Sequence, residues 1–260
     1  MKLLTRSLLC TVIASVSVPA SAVLITKDVA YGSANAAAAE QAFRDGTSYR
    51  ITETFNGIAP NAIQDPDNDG YESFVVGNQQ RSWVLASSSF NTSVGTFQLT
   101  QAETSPNSDD VQIGDLMIED KKTGEFGREF AGNWLDSNDA ATVTWSVMDG
   151  AAGNRNALGF YLSDSNDINA SLKLEFADGT VSDEIQITSP LADNNLAYVT
   201  IFSDVFFTSA MLTFNNGTGT NDGWGLDNVA VAKVPEPGTL ALLGLGLAAM
   251  GISRRRKLEA

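Results

Sequence analysis

Asp65-Pro66-Asp67-Asn68-Asp69-Gly70 places carboxylates at alternate positions and closes on a glycine. A hard cation such as Ca²⁺ wants several oxygens from one tight segment, and a glycine permits the sharp turn. An EF-hand loop counted from Asp65 needs Glu at its twelfth position, where this chain has Val76; Glu72 lies nearer. A full EF-hand is excluded. Two readings stay open: a β-sandwich calcium loop on Asp65, Asp67, Asp69 and Glu72, or a solvated turn rich in Asx residues. A second constellation involves Asp227, in the otherwise apolar run Leu226, Val229, Val231. A charge there must be paired, metal-bound or turned to an edge. If the first and last strands are neighbours, Glu53 and Asp227 approach each other, and two carboxylates repel unless a cation or a shared proton intervenes. The metal reading is structural Ca²⁺; the alternative is an exposed edge or a turn hydrogen bond.

Four tryptophans are candidates for stacking on sugar rings. Trp145 alternates with Val143 and Val147 and reads as core. Trp134 and Trp224 lie beside Gly and Asn in loop-like sequence. They are the candidate stacking pair, against a purely structural reading. Other chemistry is bounded by composition. The chain of 260 residues has no His, which excludes Ser-His-Asp and Cys-His catalysis and every His-ligated metal. Its one cysteine, Cys10, forms no intramolecular disulfide. Acids are plentiful enough that a glycosidase carboxylate pair stays open, but nothing marks one pair out. No glycine-rich phosphate loop sits on a strand-to-helix turn.

These residues need elements to position them. One segment reads as helix: alanine-rich Ala34 to Arg44, with Ser33 or Asn35 as N-cap and Asp45-Gly46 as the stop. Elsewhere short runs of β-formers alternate with Gly/Asn/Asp turns. Strands are expected near 48–55, 71–77, 82–90, 94–100, 111–119, 125–131, 141–148, 157–163, 168–176, 180–188, 197–203, 208–214 and 226–232. In the run from Ala170 to Phe176, Leu172, Leu174 and Phe176 point one way and Lys173 and Glu175 the other. Asp178-Gly179 then reads as a hairpin turn. Many short strands at this spacing predict an all-β fold, an antiparallel sandwich with one short N-terminal helix. No linker divides residues 23–233, so one domain is expected; the alternative is two β domains splitting near 132–140.

Both ends read as targeting segments. Residues 1–22 fit a signal peptide: Lys2 and Arg6, an apolar stretch from Leu8 to Val18, and Ala20-Ser21-Ala22 for cleavage. Residues 234–260 carry Pro235-Glu236-Pro237, an uncharged apolar run over 238–252, and Arg254-Arg255-Arg256-Lys257. The apolar run is shorter than the ~20 residues of a comfortable membrane span. It reads as a transient membrane helix with its basic stop in the cytoplasm. With both ends removed, residues 23–234 hold 10 basic and 29 acidic residues, a charge of −19. Such a surface argues against nucleic acid and repels anionic polymers unless divalent cations bridge them.

The three ordered parts at the C-terminus closely resemble the PEP-CTERM sorting signal of Gram-negative bacteria. That resemblance implies recognition by an exosortase-type membrane transpeptidase or protease, cleavage near the motif, and an envelope or extracellular destination, often beside exopolysaccharide. The middle of the chain is also similar to the jelly-roll sandwiches common in such proteins. The residues that carry this are Thr52-Glu53-Thr54-Phe55-Asn56-Gly57 at the start and Gly223-Trp224-Gly225-Leu226-Asp227-Asn228-Val229 at the end. The expectation is an exported, non-enzymatic surface or matrix protein with no certain cofactor and Ca²⁺ as the candidate ion. Its expected partners are the processing enzyme and extracellular polysaccharide. The alternatives are a secreted carbohydrate-active hydrolase and a purely structural adhesin-like component.

Overall fold

The structure is a computed structural model. It describes residues 24–59, 72–76, 79–83, 85–102, 116–119, 130, 132–136, 140–147, 155–163, 171–187, 196–213 and 224–235. In chain order the elements are β1 (Ile25–Tyr31), α1 (Ser33–Gly46), β2 (Ser48–Glu53), β3 (Glu72–Val76), β4 (Gln79–Trp83), β5 (Leu85–Ser87), β6 (Ser89–Thr92) and β7 (Gly95–Ala102). Then come β8 (Leu116–Glu119), β9 (Trp134–Asp136), β10 (Ala140–Val147), β11 (Arg155–Ser163), β12 (Ser171–Phe176), β13 (Ile185–Gln186), β14 (Leu196–Thr213) and β15 (Gly225–Lys233).

All strand pairings are antiparallel, and β14 organises them. Its first half, from Leu196 to Ser203, lies between β1 and β11. Its second half, from Ser209 to Thr213, lies between β10 and β12. One strand of 18 residues therefore passes from one layer to the other, as strands do at the corners of sandwiches. The first layer continues from β11 to β15; β2 and β9 then pair with opposite ends of β15, and β8 and β5 follow β9. The second layer runs β13, β12, β14, β10, β7, β6. β3 and β4 form a separate two-stranded ladder.

The layers meet face to face over an apolar core. Trp145 of β10 stacks on Phe97 of β7 with ring centroids 5.3 Å apart, and meets Phe160 of β11 edge-on at 6.5 Å. Phe55 reaches Phe97 across the layers at 5.9 Å. Leu158, Phe160 and Leu162 of β11, Val199 and Ile201 of β14, and Val229 and Val231 of β15 fill the same core. Leu172, Leu174 and Phe176 are buried as their alternation requires. The expected turn at Asp178-Gly179 is present: Gly179 sits at φ 82 and donates to Phe176 O at 2.9 Å.

The intervening residues of the first layer face outward, where α1 covers them. Ala157, Tyr198, Ala230 and Ala232 pack with Ala36 and Phe43 of the helix. Small side chains on β11 and β15 let the helix approach closely. Gly159 is the tightest point: a Cβ there would lie 3.1 Å from Phe43 Cδ1 and closer still to the Tyr198 hydroxyl. Gly159→Ala is expected to cost about 1–3 kcal/mol through overpacking, read as a lowered denaturation midpoint with an unchanged slope. The helix cap differs from expectation. Gly32 at φ 83 occupies the N-cap and, having no side chain, makes no side-chain cap bond, while Asn35 Nδ2 turns back to donate to Tyr31 O at 3.0 Å.

Candidate functional site

Asp227 feels the charges of Glu40 and Glu53 where α1 and β2 meet β15. Opposite Phe160, β15 carries two residues for one: Gly159 pairs with Ala230 but Tyr161 pairs with Asp227. Asn228 takes the bulge conformation at φ 47, which asparagine tolerates better than most residues. The bulge returns Leu226 and Val229 to the core and sets Asp227 and Asn228 beside Tyr161, on the helix-covered face. Glu40 of α1 is the hub. Its Oε1 accepts from Arg44 Nη2 at 2.8 Å, Arg44 Nε at 3.1 Å and Asn228 Nδ2 at 3.3 Å, and its Oε2 accepts from Tyr161 Oη at 3.1 Å. Partial burial, then the neighbouring Glu40 carboxylate, push the Tyr161 hydroxyl up to about 12, so it stays a donor. Asp227 is only 5% exposed. Its Oδ1 accepts from Asn228 N at 2.7 Å. Burial, then the charges of Glu40 and Glu53, push it up to about 7 against that hydrogen bond.

Glu53 and Asp227 are near each other, as the neighbouring first and last strands of the sequence reading require. Glu53 nevertheless spends its carboxylate on the backbone. Oε1 accepts from Thr54 N at 3.0 Å and Phe55 N at 2.7 Å; Oε2 accepts from Ser93 N at 2.9 Å and Ser93 Oγ at 2.8 Å. All four lone-pair positions are taken. The Glu53–Asp227 calcium reading is corrected to a hydrogen-bonded clasp, which holds Phe55 at φ 57 and ties β2 to the β6–β7 turn. Among the described residues no three His, Cys, Asp or Glu side chains gather to hold a metal. Asp65, Asp67 and Asp69 lie outside the described residues; Glu72 opens β3.

The sugar-stacking pair is also corrected. Trp134 is 0% and Trp224 1% exposed, so neither offers an open face. Trp134 belongs to β9, packs against Phe130 at 5.7 Å, and covers Gly225, where a Cβ would come within 2.8 Å of its ring. Their Gly and Asn neighbours serve close packing rather than exposure. An open groove of about 760 Å³ lies instead between β1 and the β12–β13 turn, lined by Leu24, Lys27, Val181, Asp183, Glu184 and Gln186 among others. Lys27 Nζ donates to Gln186 O across it.

Sequence reading missed Glu40, Tyr161, Asn228 and Asn156. For the two asparagines the signal was there: a polar residue standing where strand alternation calls for an apolar one, at Asn156 before Ala157 and at Asn228 before Val229.

The chain leaves the fold at the end of β15, and Pro235 is exposed there. Glu236, Pro237, Arg254, Arg255 and Arg256 lie outside the described residues, as do residues 1–22. Among the described residues no helix is long and apolar enough to cross a membrane. A β-sandwich whose last strand runs into Pro-Glu-Pro, an apolar run and a basic cluster defines a domain built for export with a C-terminal sorting signal. Residues 233–257 match the family model of the PEP-CTERM protein-sorting motif. That motif supports an exported bacterial protein, processed by an exosortase-type system and directed to the cell envelope or surface. No curated protein and no solved structure matches the chain.

Proposed function

We propose that this is a non-catalytic surface or matrix protein. In this reading the exported sandwich is released or retained at the envelope by C-terminal processing and associates there with extracellular polysaccharide or surface partners. The observation that carries it is the sorting motif joined directly to the last strand. Binding rather than chemistry is supported by the placement of the acids. Asp227, shifted toward neutrality, lies beneath α1 and away from the open groove. The groove's own acids, Asp183 and Glu184, are consecutive residues rather than a pair facing each other across a cleft.

Intact-mass measurement on protein from its native host is expected to show loss of residues 1–22 and of Arg254 to Lys257. Retention of either end after maturation overturns the sorting reading. Release of reducing ends from any polysaccharide, abolished by one Asp or Glu substitution, overturns the non-catalytic one.

A further inference from the structure

The peptide group that joins Lys233 to Val234 is held on both sides. Its carbonyl accepts from Ser48 Oγ at 3.2 Å. Its N–H donates to Asn156 Oδ1 at 2.8 Å. Asn156 is 8% exposed and donates through Nδ2 to Ser203 O at 3.0 Å. It thereby fastens the end of β15 to the middle of β14. The surroundings add to the hold. Lys233 Nζ stands 5.5 Å above the Phe206 ring, and Val234 packs against the apolar cluster under α1. Val231 and Lys233 pair with Ile51 and Ser48 across a bulge in β2. One residue beyond the clamp, Pro235 is exposed. The sorting match begins at residue 233, so no linker separates the fold from the signal.

Proteases act on segments whose backbone can leave its hydrogen bonds and lie extended in a cleft, and ladder strands resist this unless the fold opens. We propose that Asn156 sets the upstream limit of processing. A membrane-embedded protease or transpeptidase then meets the chain flush with the sandwich end formed by Ser48, Asn156 and Lys233, and cuts at or beyond Pro235 rather than inside β15. The cut adds water, or a transpeptidase's amine acceptor, across one peptide C–N bond and releases the downstream amine. The clamp is independent of the sorting reading; only the identity of the enzyme that meets it rests on that reading.

Trypsin reads this bond directly, because Lys233 precedes Val234 and not a proline. In the full chain, kept in mild detergent, the Lys233–Val234 bond is expected to resist trypsin while the heat-unfolded chain is cut there. Asn156→Leu removes both hydrogen bonds and is expected to be cut about tenfold faster at this bond. Asn156→Asp keeps the acceptor for Val234 N–H but sets a second oxygen against Ser203 O, and is expected to be cut at a rate between those of the wild type and Asn156→Leu. Should Asn156→Leu fail to fold, hydrogen exchange at the wild-type Val234 amide decides, with protection expected. Cutting of the folded wild type at Lys233 as fast as the unfolded chain, or an unprotected Val234 amide, overturns the proposal. So does a host-processed C-terminus upstream of Val234. A host protein that keeps Arg254 to Lys257 but resists trypsin at Lys233 defeats the sorting reading and leaves the clamp standing.

Discussion

Asp227→Asn is expected to raise the melting temperature by about 8–16 °C at pH 8 and to leave it nearly unchanged at pH 4. Asp227 faces Glu40 of α1, Tyr161 of β11 and Glu53 of β2, and burial is the largest influence on it. Its folded pKa of about 7 stands above the unfolded 3.8. For an acid shifted upward, the folded state holds the proton more tightly than the unfolded chain. Stability is therefore greatest at low pH and falls as pH rises from 3.8 to about 7, where the buried carboxylate ionises. Each pKa unit is worth about 1.4 kcal/mol, so roughly three units make the full cost about 4 kcal/mol at pH 8. Asparagine carries no charge to bury and escapes that cost. Melting curves of both proteins from pH 4 to pH 8 should diverge steadily. Parallel curves would mean that Asp227 ionises freely in the fold.

Buried Trp134 and Trp224 and the long strand β14 show what a sequence can and cannot reveal here. Alternation is a local property, so the strands with clean patterns are close to their expected spans: 141–148 against Ala140–Val147, and 157–163 against Arg155–Ser163. The helix is likewise 34–44 extended to Ser33–Gly46. β14 was expected as two strands, 197–203 and 208–214, because Ser203-Asp204 interrupts the apolar run. It is continuous because the interruption is where the strand crosses between layers, and Asp204 Oδ1 there accepts from Leu24 N at 3.0 Å. The partner in that bond is 180 residues away. β1 was not foreseen, since an edge strand with Lys27 and Asp28 exposed has little apolar pattern to read. The expected strand at 82–90 is divided among β4, β5 and β6. The expected strand at 125–131 lies outside the described residues apart from buried Phe130. For the site, the approach of Glu53 and Asp227 was legible from strand adjacency. That Glu53 is saturated by Thr54, Phe55 and Ser93 was not, because Ser93 reaches it from a turn 40 residues away.

Glu53→Gln separates the hydrogen-bonded clasp from a cation site most sharply. Glutamine keeps the length and shape of the side chain but can accept at one end only. Its amide NH₂ then meets either the Thr54 and Phe55 N–H groups or the Ser93 N–H, donor against donor, while the Ser93 hydroxyl can turn to accept. Hydrogen bonds to a charged acceptor are worth about 1.5–3 kcal/mol each, and a donor left facing another donor adds to the loss. Glu53→Gln is therefore expected to cost about 2–4 kcal/mol in chemical denaturation. Ser93→Ala, which removes only the hydroxyl bond, is expected to cost about 1 kcal/mol. Glu53→Gln also removes one of the charges that raise Asp227, so its stability should fall less steeply with pH than the wild type's. Adding a chelator should leave the difference between the two proteins unchanged. If chelator instead lowers the wild type to the level of Glu53→Gln and leaves the variant unmoved, the carboxylate is holding a cation and the clasp is wrong.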